Sequence, residues 1–227
     1  MAALELFSTP LFLDANLQAY YRLEGNSNDA KNSNNGTDTS ISYSVTNAKF
    51  GQAADFPSSN AGSYIAIPVS ISATHDFTLH CWVYIPSTSQ LGTFIKIGDA
   101  SSGYAIGVGS GTMTSNGNNL IGLYEGVSWL DSATAIGTGL HMVDLVGDSS
   151  GHPKMYLDGV QVYSDTSNTP IAPANSAAIG RATGSNRYFN YGNIDDVALF
   201  NRALTAGEIT SLYTGVFGGA SNFFRMF

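Results

Sequence analysis

Two adjacent carboxylates, Asp195 and Asp196, are the residues of this sequence that most directly suggest chemistry. A pair of carboxyl groups can cleave a glycosidic bond when both face one substrate, about 5 Å apart in a retaining enzyme. Both acids lie in the strand-like run GNIDDVALF, and neighbouring strand residues point to opposite faces of a sheet. We therefore expect that the two acids do not address one substrate atom. A structural role, with or without a cation, is the preferred interpretation.

The other glutamates and the histidines show no catalytic spacing. The chain has four glutamates, and none of them stands in an E-x-D-x-x-E arrangement. The four histidines come with neither a G-x-S-x-G nucleophile elbow nor the H-x-x-x-H spacing of metal ligands. The sequence therefore predicts a protein that is not an enzyme.

A polar segment, EGNSNDAKNSNNGTD at residues 24–38, offers Asp29, Asp38 and several side-chain amides. These are the hard oxygen ligands that calcium prefers, although their spacing is not that of an EF-hand. The alternative is a cluster of turns in which an aspartate accepts hydrogen bonds from nearby backbone amides. Both interpretations stay open on these residues.

Composition favours a β-rich globular protein. A chain of 227 residues can bury a core without disulfides, and 11% charged residues with 25 glycines suits strands and turns better than helical surfaces. The net charge is −8, and the nine Lys and Arg residues form no cluster, which argues against nucleic acid as a partner. Such a surface is compatible with cations or with neutral ligands such as sugars. No apolar run approaches the roughly 20 residues of a membrane-spanning helix.

Alternating runs bounded by Gly, Ser, Asn or Pro predict about a dozen strands. In Phe77–Ile85 both faces carry large apolar groups, which predicts an inner strand of a two-layer sandwich with the lone Cys81 buried in it. The run KMYLDGVQVY predicts a hairpin with Asp158 and Gly159 in a type I′ turn. The pattern is typical of a sandwich, jelly roll or barrel. Further runs are LQAYYRL, SYIAIPV, GTFIKIG, YAIGVG, NLIGLY and LHMVDLVG.

One short helix is predicted near the C-terminus. Thr205 and Glu208 have the spacing of a capping box, and Gly215 supplies a natural stop. A helix of about two and a half turns cannot stand alone, so it must lie against the sandwich.

Five segments in order resemble the laminin-G-like, concanavalin-A-like lectin and glucanase jelly rolls. They are LQAYYRLEGNSNDAKNSNNG, FGQAADFPSSNAGSYIAIP, FTLHCWVYI, KMYLDGVQV and GNIDDVALFNRALTAGEITSLY. The resemblance covers residues 17–215 and implies an all-β fold of two antiparallel sheets with one short C-terminal helix. It also implies that a structural calcium ion joins the early polar loop to the closing strand, with Asp29, Asp195 and Asp196 as candidate ligands.

Sugar recognition on such a fold uses aromatic rings that stack on a pyranose and amides that fix its hydroxyl groups. The segment YEGVSWLDS is the strongest candidate because polar residues flank its tryptophan. For each aromatic residue the competing interpretation is packing in the core. The candidate ligand-binding residues are Tyr124, Trp129, Asn118, Asn119, Tyr188 and Tyr191.

The two ends lie outside the jelly-roll pattern. Residues 1–16 form an apolar segment interrupted by Pro10, without the basic start of a cleaved signal, and residues 216–227 form an aromatic tail. Exposed apolar tails promote association, so we expect both ends to dock into neighbouring subunits, with the alternative that they cover their own sandwich. The expected docking residues of the tail are Phe223, Phe224, Met226 and Phe227.

These observations predict a non-catalytic recognition or structural module. We expect a homo-oligomer or a component of a larger assembly, such as a virion surface, anchored by its termini and presenting loops to glycans. A free-standing, calcium-dependent lectin is the first alternative, and a glycoside hydrolase is the second.

Overall fold

The structure, a computed structural model, describes residues 3–57, 62–69, 71, 73–111, 115–174, 176–182, 187–189 and 191–217. Within these residues the predicted all-β, two-sheet antiparallel jelly roll with one short C-terminal helix is confirmed. The strands are β1 Leu17–Tyr21, β2 Thr37–Thr39, β3 Ser42–Ser44, β4 Ala53–Phe56, β5 Tyr64–Ile67, β6 Phe77–Ile85, β7 Gly92–Ile97, β8 Tyr104–Gly109, β9 Asn119–Tyr124, β10 Ser128–Ala135, β11 Gly139–Gly147, β12 Pro153–Leu157, β13 Val160–Ser164, β14 Ala177–Ile179, β15 Arg181–Ala182, β16 Arg187–Tyr188 and β17 Gly192–Phe200, and the helix is α1 Ala206–Thr214.

Two large sheets make up the sandwich. The first sheet has the order β13-β12-β11-β6-β17-β4-β3, and β1 also pairs with β17. The second sheet has the order β10-β9-β8-β7-β14-β5-β2. Strand β17 pairs with β4 through residues 192–194 and with β1 through residues 197–200. Its two middle residues, Asp195 and Asp196, therefore lie between the stretch that pairs with β4 and the stretch that pairs with β1.

The main core lies between the two sheets. Strand β6 shows how the sequence builds it, because Phe77, Leu79 and Cys81 face the second sheet and are fully buried. Of its alternate residues, Thr78, His80 and Trp82 face away from the core and are buried as well. Both faces of this strand are therefore covered, as its pattern of large side chains predicts.

A second apolar cluster covers the outer face of the first sheet. It joins the N-terminal segment, the sheet and helix α1, and this explains why a helix of nine residues is stable here. Its buried members are Leu6, Leu11, Leu17, Tyr20, Trp82, Met142, Val146, Tyr156, Ala198, Phe200, Leu204, Ile209 and Leu212.

The predicted helix signals are confirmed. Thr205 accepts a hydrogen bond from the backbone of Glu208, whose carboxylate accepts one from the backbone of Thr205. Gly215 ends the helix in the left-handed conformation, with φ of 72°. The predicted hairpin turn between β12 and β13 is confirmed too, since Asp158 and Gly159 both have positive φ.

Residues 3–16 of the N-terminal segment lie on their own domain, as in the alternative that the ends cover their own sandwich, and docking of this segment into a neighbour stays a prediction. Two short 3₁₀ helices, Leu6–Ser8 and Pro10–Leu13, carry it across the outer face of the first sheet. Leu6 is fully buried there, and the carboxylate of Glu5 pairs with the guanidinium of Arg22. The segment stays on the sheet because leaving it would expose this apolar surface. The predicted docking residues Phe223, Phe224, Met226 and Phe227 lie outside the described residues.

Leu6→Ala should therefore destabilise the jelly roll itself. Removing a fully buried leucine side chain costs about 2–5 kcal/mol of unfolding free energy, and denaturant titration of the variant measures this loss. Leu13→Ala is the matched control, because Leu13 lies in the same segment but is 67% exposed. An equal effect of the two substitutions would show that the segment does not pack as described.

Candidate functional site

The two adjacent aspartates lie on the same face of β17, and the prediction that they point to opposite faces is wrong. The pairing of β17 with β6 shifts between Asp195 and Ala198, and Asp196 has a φ of 54°. This left-handed residue inserts a bulge, so that Ile194 and Val197 face the core while both acids between them face outward.

Each of the two carboxylates holds a covering segment over the first sheet. One oxygen of Asp195 accepts the backbone N–H groups of Lys49 and Phe50 at 2.8 and 2.9 Å, in the loop between β3 and β4. Asp196 accepts the backbone N–H of Leu6 at 3.2 Å and a short hydrogen bond from the hydroxyl of Tyr20. Both aspartates are only 1% exposed, so a substrate in solution does not reach them.

Further titratable groups lie under the same cover. His80 and Asp144 are buried and lie 2.7 Å apart, from Nδ1 to the carboxylate oxygen. Burial lowers the pKa of His80, but the Asp144 carboxylate outweighs this and holds it above its ordinary value. Burial raises the pKa of Asp196 to about 6, and burial, together with the nearby charge of Asp196, raises the pKa of Asp195 to about 8.

The predicted calcium loop is a cluster of turns around Asp29. One carboxylate oxygen of Asp29 accepts the backbone N–H groups of Tyr20 and Lys31, and the other accepts the backbone and side-chain N–H groups of Asn34. In the described part of the chain, no three acidic, histidine or cysteine side chains are grouped as metal ligands. Calcium binding by Asp29, Asp195 or Asp196 stays a prediction.

The outer face of the second sheet carries a row of mostly buried residues that ends at an aromatic ring. The register of the strands sets Lys96 beside Ala105, Ala105 beside Leu123, and Leu123 beside Trp129. Lys96 is fully buried and donates to the carboxylate of Glu125 at 2.7 Å and to the carbonyl of Ser102 at 2.9 Å. In chain register the row is Ala66, Ala178, Lys96, Ala105, Leu123 and Trp129.

Trp129, Asp131 and Asn119 form the candidate site at the β10 edge of this face. Trp129 and Asp131 are two residues apart on β10, so both side chains point outward, and all three residues are partly exposed. The side-chain amide of Asn119 donates to both carboxylate oxygens of Asp131, at 3.0 and 3.1 Å. The site therefore combines an aromatic surface with a fixed carboxylate and an amide.

The other predicted ligand-binding residues have different positions or roles in the structure. The prediction that Tyr124 binds a sugar is wrong, because Tyr124 is fully buried in the core and its hydroxyl donates to the carbonyl of Gly151. Asn118 accepts the backbone N–H of Gly137 and so fixes a loop. Tyr188 lies in the small β15–β16 hairpin, and Tyr191, which is 47% exposed, precedes β17.

The sequence does not mark Asp131 as a site residue, because β10 lacks a clear strand pattern. The run SWLDSATA has few apolar residues, as is usual for an exposed edge strand, so its period of two is weak. The spacing of Trp129 and Asp131 was the available signal.

The family model described as the concanavalin A-like lectin/glucanases superfamily (Laminin_G_3) matches residues 59–210. Among curated proteins, Sialidase B of Streptococcus pneumoniae serotype 4 is 32% identical over 65 residues, which are 26% of this chain and 9% of the sialidase. The chain thus spans a small part of that relative.

Solved structures with the same fold include several binding domains. Domain 4 of AbnA, a GH43 extracellular arabinanase from Geobacillus stearothermophilus, in complex with arabinotriose, has a TM-score of 0.68 at 23% identity, covering 87% of this chain and 98% of that one. The binding domain of Paraclostridial Mosquitocidal Protein 1 has a TM-score of 0.68 at 17% identity, covering 87% and 52%. The binding domain of Botulinum Neurotoxin DC in complex with SialylT has a TM-score of 0.64 at 15% identity, covering 89% and 52%.

The raised pKa of Asp195 predicts how stability depends on pH. The native carboxyl keeps its proton up to about pH 8, whereas the unfolded one releases it near 3.8, so unfolding releases a proton between these values. The free energy of unfolding should therefore fall as pH rises from about 4 to about 8. Asp195→Asn should flatten this fall, because asparagine keeps a carbonyl oxygen for the two backbone N–H groups but does not titrate.

Chemical denaturation between pH 4 and pH 8 measures this slope. Asp165→Asn is the control, because hydrogen bonds to the backbone N–H of Ser167 chiefly lower the pKa of Asp165 to about 2, below the range tested. If the unfolding free energy of Asp195→Asn falls with pH as steeply as that of the wild type, the titration does not belong to Asp195.

Proposed function

We propose that this chain, which belongs to the concanavalin A-like lectin/glucanases superfamily, is a non-catalytic module that binds a saccharide at the β10 edge of its second sheet. The observation that carries the proposal is the grouping of Trp129, Asp131 and Asn119 on one partly exposed face. An indole ring stacks on the apolar face of a sugar, and a carboxylate and an amide bind its hydroxyl groups.

The position of the site follows from which faces are free. The N-terminal segment and helix α1 cover the outer face of the first sheet, so a ligand there would have to displace buried leucines. The second sheet keeps partly exposed polar and aromatic residues at its edge. Solved domains of this fold in complex with arabinotriose or SialylT support saccharides as the ligand class.

A binding role fits the acids better than a hydrolytic role. Asp195 and Asp196 are buried and bound to backbone groups, and Asp131 faces an amide, Asn119, where a retaining glycosidase would need a second carboxyl group. The proposed module therefore holds its ligand without cleaving it.

Trp129→Ala should weaken binding of a neutral oligosaccharide about tenfold or more, because loss of a stacked ring and its buried area costs on the order of 1–3 kcal/mol. Titration calorimetry with arabinotriose and a panel of neutral oligosaccharides measures this change. Val160→Ala is the control, because Val160 is 64% exposed on the edge strand of the other sheet. Trp129→Phe should keep part of the affinity.

If Trp129→Ala binds every ligand found with the same affinity as the wild type, the proposed site is refuted. The same titration in EDTA tests the predicted calcium dependence, since a structural calcium ion that supports the site would make binding sensitive to the chelator.

Attachment to a larger assembly through the C-terminal tail, such as a virion surface, is proposed from the sequence of residues 216–227. Deletion of residues 218–227 should convert an oligomer to a monomer and leave the unfolding free energy nearly unchanged, because the deletion leaves α1 and its capping Gly215 in place. Multi-angle light scattering measures the mass. An unchanged mass would remove the tail as the assembly element. Among the described residues there is no candidate membrane-spanning helix.

A further inference from the structure

A second group of aromatic and charged side chains lies at the opposite side of the second sheet. Tyr64 begins β5, Arg181 begins β15, and Tyr188 pairs with Arg181 across the small hairpin. Strand β5 is five strands away from β10 in this sheet, about 24 Å at the usual spacing. One sugar ring therefore cannot touch both this group and Trp129, which makes the two groups separable by experiment.

The guanidinium of Arg181 lies flat against an aromatic neighbour. Its central carbon is 3.6 Å from the ring centroid of Tyr64, and the rings of Tyr64 and Tyr188 are 6.4 Å apart with an angle of 43° between their planes. Such stacking holds the planar guanidinium in a fixed orientation, and a guanidinium N–H also donates to the hydroxyl of Tyr64.

Arg181 has no carboxylate partner in the described part of the chain. Four other cationic side chains lie within ion-pair distance of an acid, namely Arg22, Lys96, Lys154 and Arg202. Moreover, Nε of Arg181 is buried and has no acceptor. A buried donor without an acceptor costs about 1–3 kcal/mol, and more when it is charged. An arginine with a purely structural role would be expected to use this donor.

A carboxylate is the group that complements a guanidinium without an acidic partner. A guanidinium offers two parallel N–H groups to the two oxygens of a carboxylate, and the adjoining tyrosine rings can contact the face of a sugar. We propose that Tyr64, Arg181 and Tyr188 form a subsite for the carboxylate of an acidic saccharide. This inference rests on the proposed function, because it takes the ligand to be a saccharide.

The test compares acidic sugars with matched neutral ones. The first pair is trigalacturonic acid and its methyl ester, and the second pair is 3′-sialyllactose and lactose. The wild type should bind at least one acid about 10- to 100-fold more tightly than its neutral counterpart, the range expected for hydrogen bonds to a charged group. Arg181→Gln should abolish this preference by weakening binding of the acid to the level of its neutral counterpart.

Two further variants separate this inference from the proposed function. Lys154→Gln, at a cation that already has an acidic partner, should keep the preference. Arg181→Lys keeps the positive charge but lacks the planar guanidinium, so it should keep only part of the preference for the acid. This variant keeps the proposal testable where Arg181→Gln folds poorly. Trp129→Ala should weaken binding of the neutral sugars if the proposed function is right, whatever happens at Arg181.

The inference is overturned if the wild type shows no preference for either acid, or if Arg181→Gln keeps the preference. If Arg181→Gln loses the preference for the acid while Trp129→Ala leaves the affinity for the neutral sugars unchanged, the acidic subsite is supported and the Trp129 site is refuted. Failure of the wild type to bind any of the four sugars would count against both.

Discussion

The fold depends on how the outer face of the first sheet is closed. A left-handed residue in the middle of β17, Asp196, turns two neighbouring carboxylates to the same side. Asp195 then holds the loop between β3 and β4, and Asp196 holds the N-terminal segment through Leu6. Because burial makes these carboxyl groups costly to ionise, they are useful only where the backbone supplies donors, and here it does. The two acids that looked most like a catalytic pair are therefore elements of the closure.

This closure decides which surface is left for recognition. With one sheet covered by its own N-terminal segment and by α1, the partly exposed groups at the two sides of the second sheet remain, because Lys96, Ala105 and Ala178 in the middle of its outer face are fully buried. Buried residues occupy the middle of that face, where Lys96 is paired with Glu125, whereas partly exposed aromatic, amide and charged groups lie towards its two sides. This distribution favours a ligand held at the edges over a substrate bound in a deep catalytic cleft.

Sequence patterns predicted the parts of the structure that are set locally. The alternation in Phe77–Ile85, the turn at Asp158 and Gly159 and the capping box at Thr205 are each decided by a few neighbouring residues, and each was found. The orientation of Asp196 depends on a bulge opposite another strand, and a non-glycine residue with positive φ leaves no pattern in the sequence.

The candidate sites were only partly predictable for a similar reason. Trp129 and Asn119 were recognisable by residue type, but Asp131 joined them only through the pairing of β9 with β10. Arg181 meets Tyr64 across more than a hundred residues of chain, and no local pattern reports such a contact.

The central claim is that recognition belongs to the second sheet while the paired aspartates serve the closure of the first. Amide NMR spectra recorded during titration with a bound oligosaccharide test this most directly. The largest shifts should map to β9 and β10, around Asn119, Trp129 and Asp131. Shifts centred on Asp195 and Asp196, with opening of the N-terminal segment, would contradict it.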